Sequence, residues 1–249
     1  MDVSERVAAA LCATWRARTV ALGGSIHEDD GLVSYLTGLA FAPFNPSLVE
    51  RPPVDPAAAL AAAERHHVAA GLPYGINLDI ELHRDVRTAA QTAGLRMIQS
   101  EPGMIALASE VAEPSLPKGV EFVSAREHVD AVADVVTEGF GGDHEINRGF
   151  VAPAVFDAPS ARIYLARLEG RPVATVETSL QDGILGVFGV TTVPDARRRG
   201  IAAAITAFAV RDRAEDADLA FLQSSAMGHG VYEAIGFRDL STWEVWSRA

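Results

Sequence analysis

Residues 190–202 read V-T-T-V-P-D-A-R-R-R-G-I-A, an apolar, β-prone run stopped by Pro194 and followed by an Ala-rich stretch that opens at Gly200. Proline cannot donate to a strand ladder, so the run ends there and Arg197-x-x-Gly200-x-Ala202 becomes the turn into a helix. Such a turn aims several main-chain N–H groups at one point in front of a helix N-terminus, where the macrodipole also favours negative charge. The chemistry this suits is the holding of a phosphate-like anion. Gly200 lets the anion approach the backbone closely, Ala202 is small enough to do the same, and the arginines add attraction at longer range. Read alone, Arg197, Arg198 and Arg199 are equally well a solvated basic run. Other reactive constellations are missing from the chain: it has no Gly-x-Ser-x-Gly elbow, no His-Glu-x-x-His, no Walker loop and no complete Gly-x-Gly-x-x-Gly. Cys12 falls in an early amphipathic helix and reads as core, and no metal site is expected.

The elements that must position this turn follow from periodicity and from the breakers. Before residue 110 the pattern predicts helix 3–17, strands at 19–25 and 32–38, helix 56–70 opening at Pro56, strand 73–80, helix 83–93 and a strand from Leu95. After residue 119 it predicts strand 120–124, helix 127–138, a Gly-rich loop at 139–143 and a helix at 148–156. Strands 162–168, 172–180 and 184–193 come next, then helix 200–214, strand 219–224, helix 228–235 and a last strand at 242–247. The order implies an α+β fold with a mixed α/β sheet. Glu110–Gly119, with Pro114 and Pro117 and no clear period, reads as a linker, so two domains are expected at 1–115 and 118–249. A weak repeat supports the division: helix, strand, helix and A-G-L-R (93–96) in the first half parallels helix, strand, helix and I-G-F-R (235–238) in the second.

Composition bounds the function. The chain has 249 residues, 49% of them hydrophobic, enough for a sizeable core without disulfides, and its one cysteine cannot form an intrachain bridge. That usage suits a reducing, cytoplasmic setting, and Asp2 and Glu5 stand where a secretory leader would be basic. A net charge of −12, shared by both halves, argues against nucleic-acid binding and favours small cationic substrates. The longest uncharged run, 31–49, is broken by Pro43, Asn45 and Pro46, so it reads as strand and loop and no membrane association is expected.

With T-V-P before the Arg-x-x-Gly-x-Ala turn, and with F-L-Q-S-S (221–225) followed by Tyr232-Glu-Ala-Ile-Gly236-Phe237, residues 118–249 resemble the GNAT superfamily of N-acetyltransferases. The first half resembles the divergent, GNAT-like domain of two-domain members, and it lacks the Arg-x-x-Gly turn. The resemblance implies an acetyl-CoA-dependent N-acetyltransferase acting on a small-molecule or peptide amine. It also implies main-chain contacts from Thr191 and Val193 to the pantetheine arm, and a pyrophosphate held by the N–H groups of Arg198, Arg199, Gly200, Ile201, Ala202 and Ala203. Strands 184–193 and 219–224 would splay to open the slot where thioester and amine meet. Tyr232 matches the position whose hydroxyl lies near the thioester sulfur and would protonate the departing thiolate. For the base that deprotonates the amine, Glu177 is the first candidate, and the group Asp143, His144 and Glu145 is the second. His66 and His67 are assigned no chemistry, and His229 reads as a helix-start residue. Ser224–His229 departs from the family in lacking an asparagine at the strand end. A non-catalytic acyl-CoA-binding or sensor protein is the alternative function, and self-association is compatible with either.

Overall fold

The computed structural model describes residues 2–113 and 116–248, so Pro114 of the expected linker lies outside it. The chain forms two compact units, Met1–Gly103 with Leu240–Ala249 and Met104–Asp239. This division differs from the expected domains at 1–115 and 118–249: it falls within a strand, and the last strand returns to the first unit.

The first unit opens with helix α1 (Val3–Ala21), and the two early acidic residues start it. The Asp2 carboxylate accepts the Glu5 N–H at 2.9 Å and the Glu5 carboxylate accepts the Asp2 N–H at 2.8 Å, which satisfies donors that the first turn leaves open. This helix extends through residues 19–21, where a strand was expected, and the first strand begins only at Ser25. Strands β1 (Ser25–Asp29) and β2 (Leu32–Leu36) join through Asp30–Gly31, both at positive φ, the backbone of a two-residue hairpin. Then follow β3 (Pro46–Val49), α2 (Pro56–Ala70), β4 (Gly75–Asp79), α3 (Arg84–Thr92) and β5 (Arg96–Leu107), which passes into the second unit. β3 begins with proline, tolerated at the first position of a strand, and runs parallel to β4. The last strand, β11 (Arg238–Ser247), lies antiparallel to β4 with Trp243 opposite Asp79 and Trp246 opposite Ile76. Trp246 joins Leu32, Leu60, Ile76 and Leu78 in the core. Buried Glu244 anchors the strand by accepting Arg87 Nε at 2.8 Å, Arg87 Nη2 at 3.0 Å and Trp246 Nε1 at 2.9 Å.

The second unit has β6 (Val120–Ser124), α4 (Val129–Phe140), α5 (His144–Phe150), β7 (Ala161–Leu168), β8 (Arg171–Gln181), β9 (Ile184–Thr192), α6 (Ile201–Arg211), β10 (Leu219–Gln223) and α7 (His229–Glu233). Strands β6, β7, β8 and β9 are successive antiparallel neighbours, and β10 lies parallel to β9. The helix expected at 148–156 is displaced: α5 starts at His144 because the Asp143 carboxylate accepts the Ile146 N–H at 3.0 Å, and Pro153 opens a separate 3-10 turn. The order strand, helix, strand, helix, strand with a parallel pair occurs twice along the chain, from β3 to β5 and from β9 to β11, and Gly94 and Gly236 of the paired A-G-L-R and I-G-F-R corners both have positive φ. Among the described residues no helix is long and apolar enough to cross a membrane.

Two buried histidines set a pH dependence for the first unit. His67 is fully buried with Nε2 at 2.9 Å from Ser47 Oγ, and burial, with His66 and His27 nearby, pushes its pKa down to about 4. Burial pushes His83 down to about 4 as well. Both are neutral in the fold but bind a proton near pH 6.5 when unfolded, so stability is full above that pH and is lost as pH falls toward 4. The loss is on the order of 3 kcal/mol per histidine. Trp15, Trp243 and Trp246 all lie in the first unit, so the urea midpoint of tryptophan emission should fall across this window; a flat midpoint would refute the assignment.

Candidate active site

β9 and β10 set the frame. The ladder between them pairs Leu219, Ala220 and Phe221 with Ile184, Leu185 and Gly186, while β9 runs on to Thr192. The pairing thus ends midway along β9, leaving an opening at the C-terminal ends of two parallel strands, a common place for ligands in such sheets. On its other side β9 carries a bulge, since the register steps from Glu177 opposite Phe188 to Thr175 opposite Thr191. Gly189 supplies the positive φ of this bulge, and Thr175 Oγ1 donates to its carbonyl at 2.8 Å.

Beyond Thr192 a 3-10 turn (Pro194–Ala196) leads to the start of α6. Gly200 sits at the helix N-cap with φ +77°, and no side chain caps this end. Among the described residues, none of the N–H groups of Arg198, Arg199, Gly200, Ile201, Ala202 and Ala203 meets an acceptor; the first inward bond is Ala204 N–H to the Gly200 carbonyl at 3.0 Å. A run of open donors at a helix start fits a pyrophosphate. The matching corner of the first unit is closed: Pro52, Pro53 and Pro56 offer no N–H, and the Asp55 carboxylate accepts the Ala58 N–H at 3.0 Å at the start of α2. There a carboxylate of the chain itself occupies the place an anion would take.

Among the described residues, four other than glycine have positive φ, and three of them, Asp30, Glu169 and Asp182, precede glycines at hairpin tips. The fourth is Arg198, at φ +60° in the cradle, a conformation that costs an L-residue about 1 kcal/mol or more. Arg198→Gly is therefore expected to raise the unliganded stability of the second unit by about 1 kcal/mol. Denaturation followed by circular dichroism checks this, and a lowered midpoint would show that no strain was stored there.

Of the two residues expected to hold the pantetheine arm, Val193 is largely committed already. Its N–H donates to the Val173 carbonyl at 2.9 Å and its carbonyl accepts the Ala196 N–H at 3.0 Å. Its N–H is therefore already used, and its carbonyl keeps one lone pair. Thr191 is buried and abuts Gly139 of α4, where an added Cβ would stand 2.1 Å from Thr191 Oγ1. Only glycine permits that approach of helix to strand.

Tyr232 is 8% exposed, with its ring set edge-on to Phe237 at 6.1 Å and close enough to Gly228 that a Cβ there would come within 2.9 Å of it. Glu177 is 5% exposed on β8, opposite Ile163 and Phe188, so it is not a solvated residue on an open face. The second group of candidate bases is occupied. Asp143 caps α5, and His144 lies 2.9 Å from Asp134 and 3.3 Å from Glu145, whose hydrogen bonds hold its pKa above the ordinary histidine range. His229 is similarly raised, chiefly by Asp239 at 2.8 Å, with Glu233 adding to it. Both histidines thus bind a proton more firmly than a free imidazole, through carboxylates that already partner them. Arg197 was seen in sequence only as the first residue of the turn, yet its Nε donates to the Thr192 carbonyl and its Nη2 to the Gly139 carbonyl, both at 2.9 Å.

A parallel strand pair parted over an uncapped helix start, beside a bulged antiparallel neighbour, frames the site. Residues 130–237 match the model of the acetyltransferase (GNAT) family. A GCN5-related N-acetyltransferase from Kribbella flavida superposes with a TM-score of 0.80 at 22% identity, covering 100% of this chain and 96% of its own. A functionally unknown conserved protein from Staphylococcus epidermidis superposes with a TM-score of 0.65 at 13% identity, over 89% of this chain and 92% of its own. A tandem GNAT protein from the clavulanic acid biosynthesis pathway gives 0.59 at 13% identity, over 86% and 77%. At these identities the likeness is one of fold. No curated protein matches the chain.

Proposed function

We propose that the second unit transfers acetyl from acetyl-CoA to an amine by direct attack, and that the first unit holds no cofactor. The observation that carries this reading is the uninterrupted run of open N–H groups at 198–203, placed where β9 and β10 part. These donors and the Arg198 and Arg199 side chains would hold the pyrophosphate, and Thr191 with the Val193 carbonyl would meet the arm. Glu177 takes the proton of the incoming ammonium, directly or through water. The amine nitrogen then bonds to the thioester carbonyl carbon, the C–S bond breaks, the Tyr232 hydroxyl protonates the departing thiolate, and the second proton that the nitrogen sheds on becoming an amide returns to the Tyr232 phenolate through solvent. Burial of Tyr232 and Glu177 supports these roles, because a group shielded from water interacts more strongly with charge developing beside it.

Release of free thiol from acetyl-CoA across a panel of amines tests the reading. Thiol release with an amine is expected; acetyl-CoA binding with no release for any amine would favour the sensor alternative. Calorimetry should give one equivalent of acetyl-CoA per chain, since the α2 corner is closed by Asp55 and three prolines. Two equivalents would overturn the assignment of an empty first unit.

A further inference from the structure

We propose that Arg197 is a positioning residue that ties the corner between α4 and α5 to the cofactor turn, so that filling the turn orders the corner. This rests on the transferase reading above. Arg197 follows the 3-10 turn, and its planar guanidinium spans two carbonyls on different elements, Thr192 at the end of β9 and Gly139 in the last turn of α4. The final carbonyls of a helix have no partner within it and carry the negative end of its dipole, so a cation there serves as a cap. A lysine, with one point charge on a flexible stem, does not reproduce a bridge made by two rigidly related donors. The residue type at 139 is dictated by the same contact, because a Cβ would stand 2.1 Å from Thr191 Oγ1.

From Gly139 the connection continues. Phe140 is 63% exposed, Gly141 and Gly142 both have positive φ, and the buried Asn147 of α5 donates to the Gly141 carbonyl at 3.1 Å and to Thr137 Oγ1 at 3.0 Å. Arg197 and Asn147 therefore clamp the two ends of a segment whose middle is an exposed ring and two consecutive left-handed glycines. Residues 140–143 are all exposed, so this short stretch buries little of itself and opens at low cost. The cradle donors begin one residue after Arg197, so an anion that fixes residues 198–203 also fixes the arginine's backbone and, through its side chain, the Gly139 carbonyl.

Hydrogen exchange on the full chain, with and without acetyl-CoA, tests this. In the wild type, ligand should slow exchange at both 198–204 and 139–147. In Arg197→Met, which keeps the stem and loses both donors, protection at 198–204 should persist while 139–147 exchanges at its unliganded rate; Arg197→Lys, the milder variant should Arg197→Met fail to fold, should do the same. A purely structural arginine would lower stability without uncoupling the two segments. Variants that bind acetyl-CoA and still protect 139–147 would overturn the coupling alone, and a wild type that binds no acetyl-CoA would overturn the transferase reading and the coupling with it.

Discussion

Replacing Gly200 by Asp is expected to weaken acetyl-CoA binding at least about 100-fold, a loss of roughly 2.7 kcal/mol, while the second unit stays folded. An aspartate at an N-cap accepts hydrogen bonds from the N–H groups behind it, as Asp55 already does at the start of α2. The new carboxylate would therefore satisfy the donors meant for the pyrophosphate and also repel it. Space among the described residues is not the obstacle, for a Cβ at residue 200 would meet none of their atoms nearer than a Pro117 carbon at 4.0 Å; the backbone is, at φ +77°, although aspartate tolerates that region better than most residues. Gly200→Ala separates the effects, since it adds the strain but leaves the donors open, and its loss should be much smaller. Calorimetry on folded Gly200→Asp decides the matter: unchanged affinity would remove the cradle from the mechanism.

Replacing Tyr232 by Phe should lower kcat about 100-fold while the dissociation constant for acetyl-CoA changes little, in line with the usual contribution of a general acid. The ring, set between Gly228 and Phe237, is retained, and so are the main-chain bonds of Tyr232 to the Gly228 carbonyl and from the Phe237 N–H. Only the hydroxyl is lost. An activity loss below about threefold would assign Tyr232 to packing alone.

The turn into α6 was legible because its signals are local: the strand stops before Pro194, and Gly200 takes the left-handed N-cap. The order of elements was legible for a similar reason, with β6 falling at 120–124 and α2 at 56–70 as periodicity demands. What stayed hidden depends on partners remote in sequence. Residues 19–21 look strand-prone, yet α1 continues through them with Thr19 buried, ending near Gly23, whose positive φ breaks it. β3 is four residues long and opens with proline, so nothing but its pairing with β2 and β4 makes it a strand. The side chain of Arg197 reaches back 58 residues to Gly139, and no spacing within the motif announces that. Val193 gives up its N–H because Val173 stands opposite it, a fact of register rather than of composition.

The return of residues 240–247 to the first unit bears on how the chain comes off the ribosome. Every residue of Met104–Asp239 has been joined before Leu240 is added, so the second unit can close while the first still lacks a strand. Until then the main-chain groups of residues 76–79 that will face β11 are unpaired, and the site later filled by Trp246 is open to water. An unpaired strand edge beside an incomplete core is the kind of surface that recruits chaperones or pairs wrongly with other chains. The half of the protein that is synthesised first is the half that finishes last.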